Sequence, residues 1–191
     1  MLITMEAVKV AVEAVNPVPL DGSALVSAGV LMALHIKDGE ICVALTKRSE
    51  EVEHHKGEIS FPGGVRDQAD GTILDTALRE TYEEIGVDPG HVEILGRLDH
   101  VSTRTGFAIT PFVGLIRSDY LFRINETEVA EILNIPIELL LEPSNRREES
   151  SDETSDRQYS YFYGNHVVWG ATARILTQLL RLLDREFDQE Q

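Results

Sequence analysis

The chain has 191 residues, 42% hydrophobic and 26% charged, with 33 acidic residues against 17 basic ones and a formal net charge of −16. That length suits one domain with a real core. The acidity argues against nonspecific nucleic-acid binding, which needs Lys and Arg against phosphate. A phosphorylated small molecule stays open as a ligand, because a bound divalent cation can invert the field locally.

Residues 1–15 carry helical spacing with mixed charge and read as a short leading helix or arm. "NPVPLDGS" follows as a connector, so residues 1–22 precede the main body of a single domain. The opening stretch has no basic leader and is interrupted by Glu6, Lys9 and Glu13, unlike a signal peptide. No segment approaches the roughly 20 apolar residues of a membrane span. A cytoplasmic setting is expected, and a homo-oligomer is left open. "ALVSAGVLMALHI" predicts a buried strand. "KDGE" then predicts the Asp-Gly turn of a hairpin into "EICVALTKR". Cys42, the single cysteine, lies in that apolar run and reads as a buried, inert thiol.

"EISF" predicts a short strand into a Pro-Gly-Gly corner, and a helix rich in glutamate follows. After it, "HVEILGRLDHV" and "FAITPFVGLIRS" predict two strands, and "EVAEILNIPIELLLEP" a strand or turn and then a short helix. Residues 145–157 are polar and low in complexity, and read as a mobile loop. "QYSYFYGNHVVWG" predicts a strand or hairpin, and "ATARILTQLLRLLDREF" a packed C-terminal helix. Strands with a few inserted helices, without regular βαβ alternation, predict a mixed α/β or α+β fold.

The glutamate helix has signals at both ends. Thr72 is a candidate N-cap with Asp75 three residues on, and Gly86 stands where a C-terminal glycine belongs. At about 100° per residue Leu74, Leu78, Tyr82 and Ile85 share one side. Glu80, Glu83 and Glu84 share another arc, with Ile73 and Thr76. Like charges at that spacing repel, so a positive charge between them is expected. The bland alternative is a solvated acidic face with an Arg79–Glu83 pair. The corner at Pro62, Gly63 and Gly64 favours the sharper reading, since it can aim backbone carbonyls and carboxylates at one point. Such oxygens suit a hard cation shared with substrate phosphates.

"GG…ALRETYEEIGV" resembles the Nudix box, G-x5-E-x7-R-E-U-x-E-E-x-G-U with U a bulky aliphatic residue. Arg79, Glu80, Glu83, Glu84, Gly86 and Val87 fit its second half, and Thr81 departs at a U position. Gly64 lies one residue too far from Arg79, and the early glutamate is missing, with Asp67 and Asp70 nearby. Upstream, "LTKRSEEVEHHKGEISFPGG" is similar to the extra motif of the coenzyme A pyrophosphatase branch, L-L-T-x-R-S and then G-x3-F-P-G-G before the box. Leu45, Thr46, Arg48, Ser49, Gly57 and Phe61 to Gly64 match, while Ala44 and Glu53 depart from it. "GNHVVWGATARIL" also resembles that branch.

The resemblance implies an α/β/α sandwich around a mixed sheet and hydrolysis of a diphosphate. For this branch it implies cleavage of CoA to 3′,5′-ADP and 4′-phosphopantetheine. It implies Mg²⁺ or Mn²⁺ held by Glu80, Glu84, Glu83 and the Gly64 carbonyl, with Arg79 orienting a glutamate. The catalytic base stays open between Glu83 and a late acid, Glu126 or Glu128; Glu131 reads as structural. Arg48, Gly57, Phe61 and Arg104 are substrate-binding candidates, with Lys56 and Arg66 as further cations. His54 and His55 are adjacent on an extended chain, where they point opposite ways, so a structural or substrate-loop role outweighs a metal one. "STRTGF" reads as pocket lining or plain connector. A different small-molecule substrate, such as ADP-ribose or a dinucleotide polyphosphate, is the alternative. A non-catalytic nucleotide sensor fits poorly with three intact glutamates.

Overall fold

The structure is a computed structural model, and it describes residues 3–18, 24–51, 56–117, 120–149 and 157–184. Its centre is a mixed sheet between helices. Strand β1 (Val26–Lys37) turns into β2 (Glu40–Arg48) through Asp38 and Gly39, both at positive φ. This is the Asp-Gly hairpin expected from the sequence, in register from Ala33 opposite Ala44 to Lys37 opposite Glu40. The other edge of β1 runs parallel to β7 (Phe107–Ile116). Beyond β7 lies antiparallel β5 (Val92–Arg97), and β6 (Val101–Ser102) pairs with the start of β7.

Past the hairpin β1 and β2 part company. The first half of β1 takes β4 (Gly63–Val65) as its partner, with Gly29 opposite Gly64. The far end of β2 takes β3 (Ile59–Ser60). The outer edge of β2 pairs with β8 (Val129–Pro136), and the register shifts between Lys47 and Arg48. "EISF" thus carries the expected short strand, β3, and the glycine corner after it forms a second short strand, β4, so the two wedge between β1 and β2.

Alternation along β1 sends side chains to two cores. Met32 and Leu34 join the larger one, under helices α1 (Met5–Glu13), α3 (Ile137–Leu141) and α4 (Gly170–Leu183). Leu31 and Ala33 face helix α2 (Ile73–Ile85) with Ala77, Ile85 and Val87. Helix layers on both faces of a mixed sheet make the expected α/β/α sandwich. A second sheet of β9 (Arg146–Glu149), β10 (Gln158–Tyr163) and β11 (His166–Val168) packs beside α4. Residues 146–149 are thus a strand where the polarity of the sequence suggested a loop. They pair with β10 from Arg146 opposite Tyr161 to Glu149 opposite Gln158, because an edge strand can be polar when only one side is paired. Residues 150–156 of that stretch lie outside the described residues, as do residues 19–22 of the connector. No described helix is long and apolar enough to cross a membrane.

Candidate active site

Helix α2 begins and ends where its sequence says. The Thr72 side chain accepts from the Asp75 amide, the Asp75 carboxylate accepts from the Thr72 amide, and Gly86 closes the helix at φ 72°. Its most buried residues are mainly small ones. Thr76, Ala77, Thr81, Glu84 and Ile85 are buried, Leu74 and Leu78 are half-buried, and Tyr82 is 55% exposed. The reason is close approach: a Cβ on Gly29 would stand 2.4 Å from the Ile73 carbonyl. Such contact suits the small face of the helix rather than its leucines. Thr81 accordingly serves at its bulky aliphatic position, fully buried and donating its hydroxyl to the Ala77 carbonyl at 2.6 Å.

That docking brings the glycine corner against the glutamates. A Cβ on Gly64 would lie 2.5 Å from Glu80 Cδ, and one on Gly63, at φ 152°, would meet the Gly29 carbonyl at 2.4 Å. Only glycine lets β1, β4 and α2 converge this closely.

Arg79 is the positive charge that the clustered acids require. Its Nε and Nη2 donate to the two oxygens of Asp70, each at 3.0 Å. Its Nη1 lies 2.8 Å from Glu80 Oε1 and donates to Glu83 Oε2 at 3.0 Å. Such a bidentate pair fixes the orientation of the guanidinium. Asp70 Oδ2 also accepts from the Asp67 amide at 2.9 Å and the Thr76 hydroxyl at 2.8 Å. The Arg79 hydrogen bonds first, then that amide, hold the Asp70 carboxyl well below the usual carboxylate range. Asp70 is the acid, noted near the box in the sequence but given no role there, that the structure sets against Arg79. It stands six residues after Gly64, at the place of the missing early glutamate, one methylene shorter and followed by one extra residue.

Glu84 is the unusual group. It is 3% exposed, and its Oε2 has no hydrogen-bond partner among the described residues. Burial, then the charge of Glu80, pushes its carboxyl up to about 8; Arg48 and the Gly63 backbone oppose this. Burial also raises Glu80, against the pull of Arg79. The third carboxylate whose field reaches both is Glu128. It is half-buried, and its Oε1 accepts from Asn125 Nδ2 at 3.1 Å. The Asn125 amide in turn donates to the Glu84 carbonyl at 2.9 Å, which ties this loop to the last turn of α2. Glu126 is exposed, and Glu131 stands 3.8 Å from His166 Nε2.

Arg48 enters from β2 at the register shift, the kind of irregularity that re-aims a side chain beside a site. It is half-buried, and its Nε has no hydrogen-bond partner among the described residues. Its neighbours in the upstream motif are scaffold: the Thr46 hydroxyl donates to the Ser60 carbonyl, and the Ser49 amide to the Glu128 carbonyl. Phe61 must be reassigned. At 2% exposure it packs in the larger core, so it supports the corner from beneath and offers no surface to a substrate. Gly57 sits at φ 67°, and its amide donates to the Arg48 carbonyl. Arg66 is spent on its own loop, donating to the Asp70 and Gly71 carbonyls. Arg104 is exposed in the turn between β6 and β7, and Lys56 is exposed. Glu53, His54 and His55 lie outside the described residues.

Among the described residues no three acidic or metal-ligating side chains already form a closed ion site; Arg79 draws Glu80 and Glu83 toward itself. The donor set nevertheless fits a hard divalent cation. It is all oxygen, it is short of positive charge at Glu84, and it includes a buried carboxylate oxygen with nothing to bind.

The NUDIX domain profile matches residues 26–160, so the chain belongs to the Nudix family. Nudix hydrolases act on nucleoside diphosphate-linked substrates and generally use divalent metal ions. The chain is 39% identical over 144 residues to an uncharacterized Nudix hydrolase NudL of Pectobacterium atrosepticum, covering 74% of this chain and 75% of that one. It is 38% identical over 137 residues to the NudL of Photorhabdus laumondii, covering 71% and 73%. Among solved structures, a MutT/nudix family protein from Enterococcus faecalis aligns with TM-score 0.55 and 15% identity, over 91% of this chain and 66% of that one. The MutT protein from Methanosarcina mazei gives 0.51 and 17%, over 86% and 93%. These structural likenesses concern the fold.

Proposed function

We propose that the chain is a metal-dependent diphosphatase that cleaves coenzyme A or a CoA derivative to 3′,5′-ADP and a 4′-phosphopantetheine product. The observation that carries this reading is the meeting of two motifs. Arg48, from the motif similar to the CoA branch, lies within the field of Glu84, from the box. Glu80, Glu84 and the Gly64 carbonyl would hold Mg²⁺ or Mn²⁺, with Glu83 at its edge. When bound, such an ion neutralises the carboxylates, offsets phosphate charge and makes water a better nucleophile near neutral pH.

The protein's own groups do the rest. Arg48, half-buried beside the carboxylates, binds a diphosphate oxygen through its guanidinium. Asp70 holds Arg79, and Arg79 holds Glu80 and Glu83 in place. Glu128 takes the proton from the attacking water; we favour it over Glu83, which is tied to Arg79, and over Glu126, which is exposed. The experiment is a substrate panel with product identification. Incubation with CoA and Mg²⁺ or Mn²⁺ should release 3′,5′-ADP. Good turnover of ADP-ribose or a dinucleotide with none of CoA would reject the CoA assignment and leave the alternative.

A further inference from the structure

Residues 123–125 run against the C-terminal end of α2. The Arg123 amide donates to the Ile85 carbonyl and the Asn125 amide to the Glu84 carbonyl, each at 2.9 Å. Those carbonyls belong to the last turn of the helix, where intrahelical partners run out. The chain then turns. The Glu128 and Val129 amides both donate to the Asn125 carbonyl, at 3.0 and 2.9 Å, and β8 begins at Val129. The Asn125 side chain closes the same turn from within. Its Oδ1 accepts from the Thr127 hydroxyl at 2.7 Å and the Thr127 amide at 3.3 Å, as in an Asx turn. Its Nδ2 donates to Glu128 Oε1 at 3.1 Å. Every polar atom of Asn125 is thus engaged, and both its carbonyl and its Nδ2 engage Glu128.

A plain turn residue would explain part of this pattern, since aspartate and serine close such turns as well. The Nδ2 bond is the part it leaves over. Aspartate would present a like charge to Glu128, and serine has no second polar atom to reach it. Glu128 is also held from the other side, because its carbonyl accepts from the Ser49 amide at 2.8 Å, next to Arg48. Its main chain is therefore pinned between α2 and the upstream motif. A glutamate anchored in this way still has side-chain torsions to explore, and the Asn125 amide restricts them.

We propose that Asn125 is a positioning residue of the reaction: its side-chain amide holds the Glu128 carboxylate toward the glutamates of α2, where Glu128 takes the proton from the attacking water. The inference rests on the reading of Glu128 as the base. Asn125 touches no reacting atom and acts through Glu128. The backbone bond to Glu84 sets the base in register with the helix that carries the other carboxylates.

Asn125→Asp is the diagnostic variant, because it keeps the acceptor for Thr127 and exchanges the donor for a like charge. Its kcat should fall by about ten-fold or more, while KM, Mn²⁺ affinity and melting temperature stay near wild type. Glu128→Gln should cut kcat by about 100-fold or more. Asn125→Asp added to it should cost nothing further, since the base it positions is already gone. The assay uses CoA with Mn²⁺, or ADP-ribose where the substrate panel rejects CoA, so failure of the CoA reading leaves this test standing. Full kcat in Glu128→Gln rejects Glu128 as the base and the positioning role with it. A crippled Glu128→Gln beside a fully active Asn125→Asp rejects the positioning role alone, as does an equal loss from Asn125→Asp in both backgrounds. The Asn125 side-chain amide gives a readout independent of turnover. Its NMR signals in the metal-free chain, assigned through the Asn125 backbone, should move in Glu128→Gln and stay still in Glu126→Gln. Signals indifferent to Glu128→Gln overturn the proposal, even where Asn125→Asp is too unstable to assay.

Discussion

Glu84 combines deep burial, an unpaired oxygen and neighbours of its own sign. Its folded value, about 8, lies above the ordinary 4.5. The sign of the linkage follows: its contribution to stability is intact below pH 4.5 and lost as pH rises toward 8. At pH 7 the folded carboxyl is therefore mostly protonated, and holding that proton costs the metal-free fold about 3 kcal/mol relative to pH below 4.5. Glu84→Gln should raise the melting temperature of chelated protein at pH 7–8, flatten its decline with pH, and cut kcat by about 100-fold or more. Thermal scans across pH 5–8 check the first two effects. In the proposed site Asp70 would act one step away from the ion, through Arg79. Asp70→Asn removes the charge that fixes Arg79, with an expected loss of about 10–100-fold in activity or metal affinity. Restoration by Asp70→Glu, but not by Asp70→Ala, would separate a positioning role from mere packing.

At the scale of elements, the site is made by the junction of α2, β1 and β4. The capping signals located the helix to the residue, and the Asp-Gly turn located the hairpin, because both are local hydrogen-bond geometries written in a few adjacent side chains. Periodicity set Leu74, Leu78, Tyr82 and Ile85 on one side of α2, but it could not say which residues go deepest: close approach at Gly29 favours the small ones and leaves Tyr82 exposed. Gly29→Ala should therefore destabilise the fold by about 1–3 kcal/mol through the clash with the Ile73 carbonyl, read by urea denaturation. Gly64→Ala is the complementary case: its Cβ would displace the Glu80 carboxylate, and catalysis should fall further than stability. Strand β9 escaped notice for the opposite reason. Nothing apolar marks a polar edge, and only pairing with β10 makes it a strand.

For the whole molecule, the fold brings Glu80, Glu84 and Glu128 into one another's field, and the proposed function has a cation relieve that charge. Adding Mg²⁺ or Mn²⁺ should raise the melting temperature, by about 2.7 kcal/mol of stability at 100 times Kd. Glu84→Gln should lose most of that gain, and a chelator should reverse it. A shift of equal size in wild type and Glu84→Gln would remove Glu84 from the ion site. The amino-acid sequence by itself determined the family, the sandwich, the helix ends and the glutamates, since motifs, caps and alternation are short-range patterns. Only the tertiary structure decided that Asp70 holds Arg79, that Phe61 is core, that Glu128 rather than Glu126 faces the carboxylates, and that Asn125 joins Glu128 to the last turn of α2. Those facts depend on which strands pair and how closely layers approach, and such distances between remote residues leave no periodic trace along the chain.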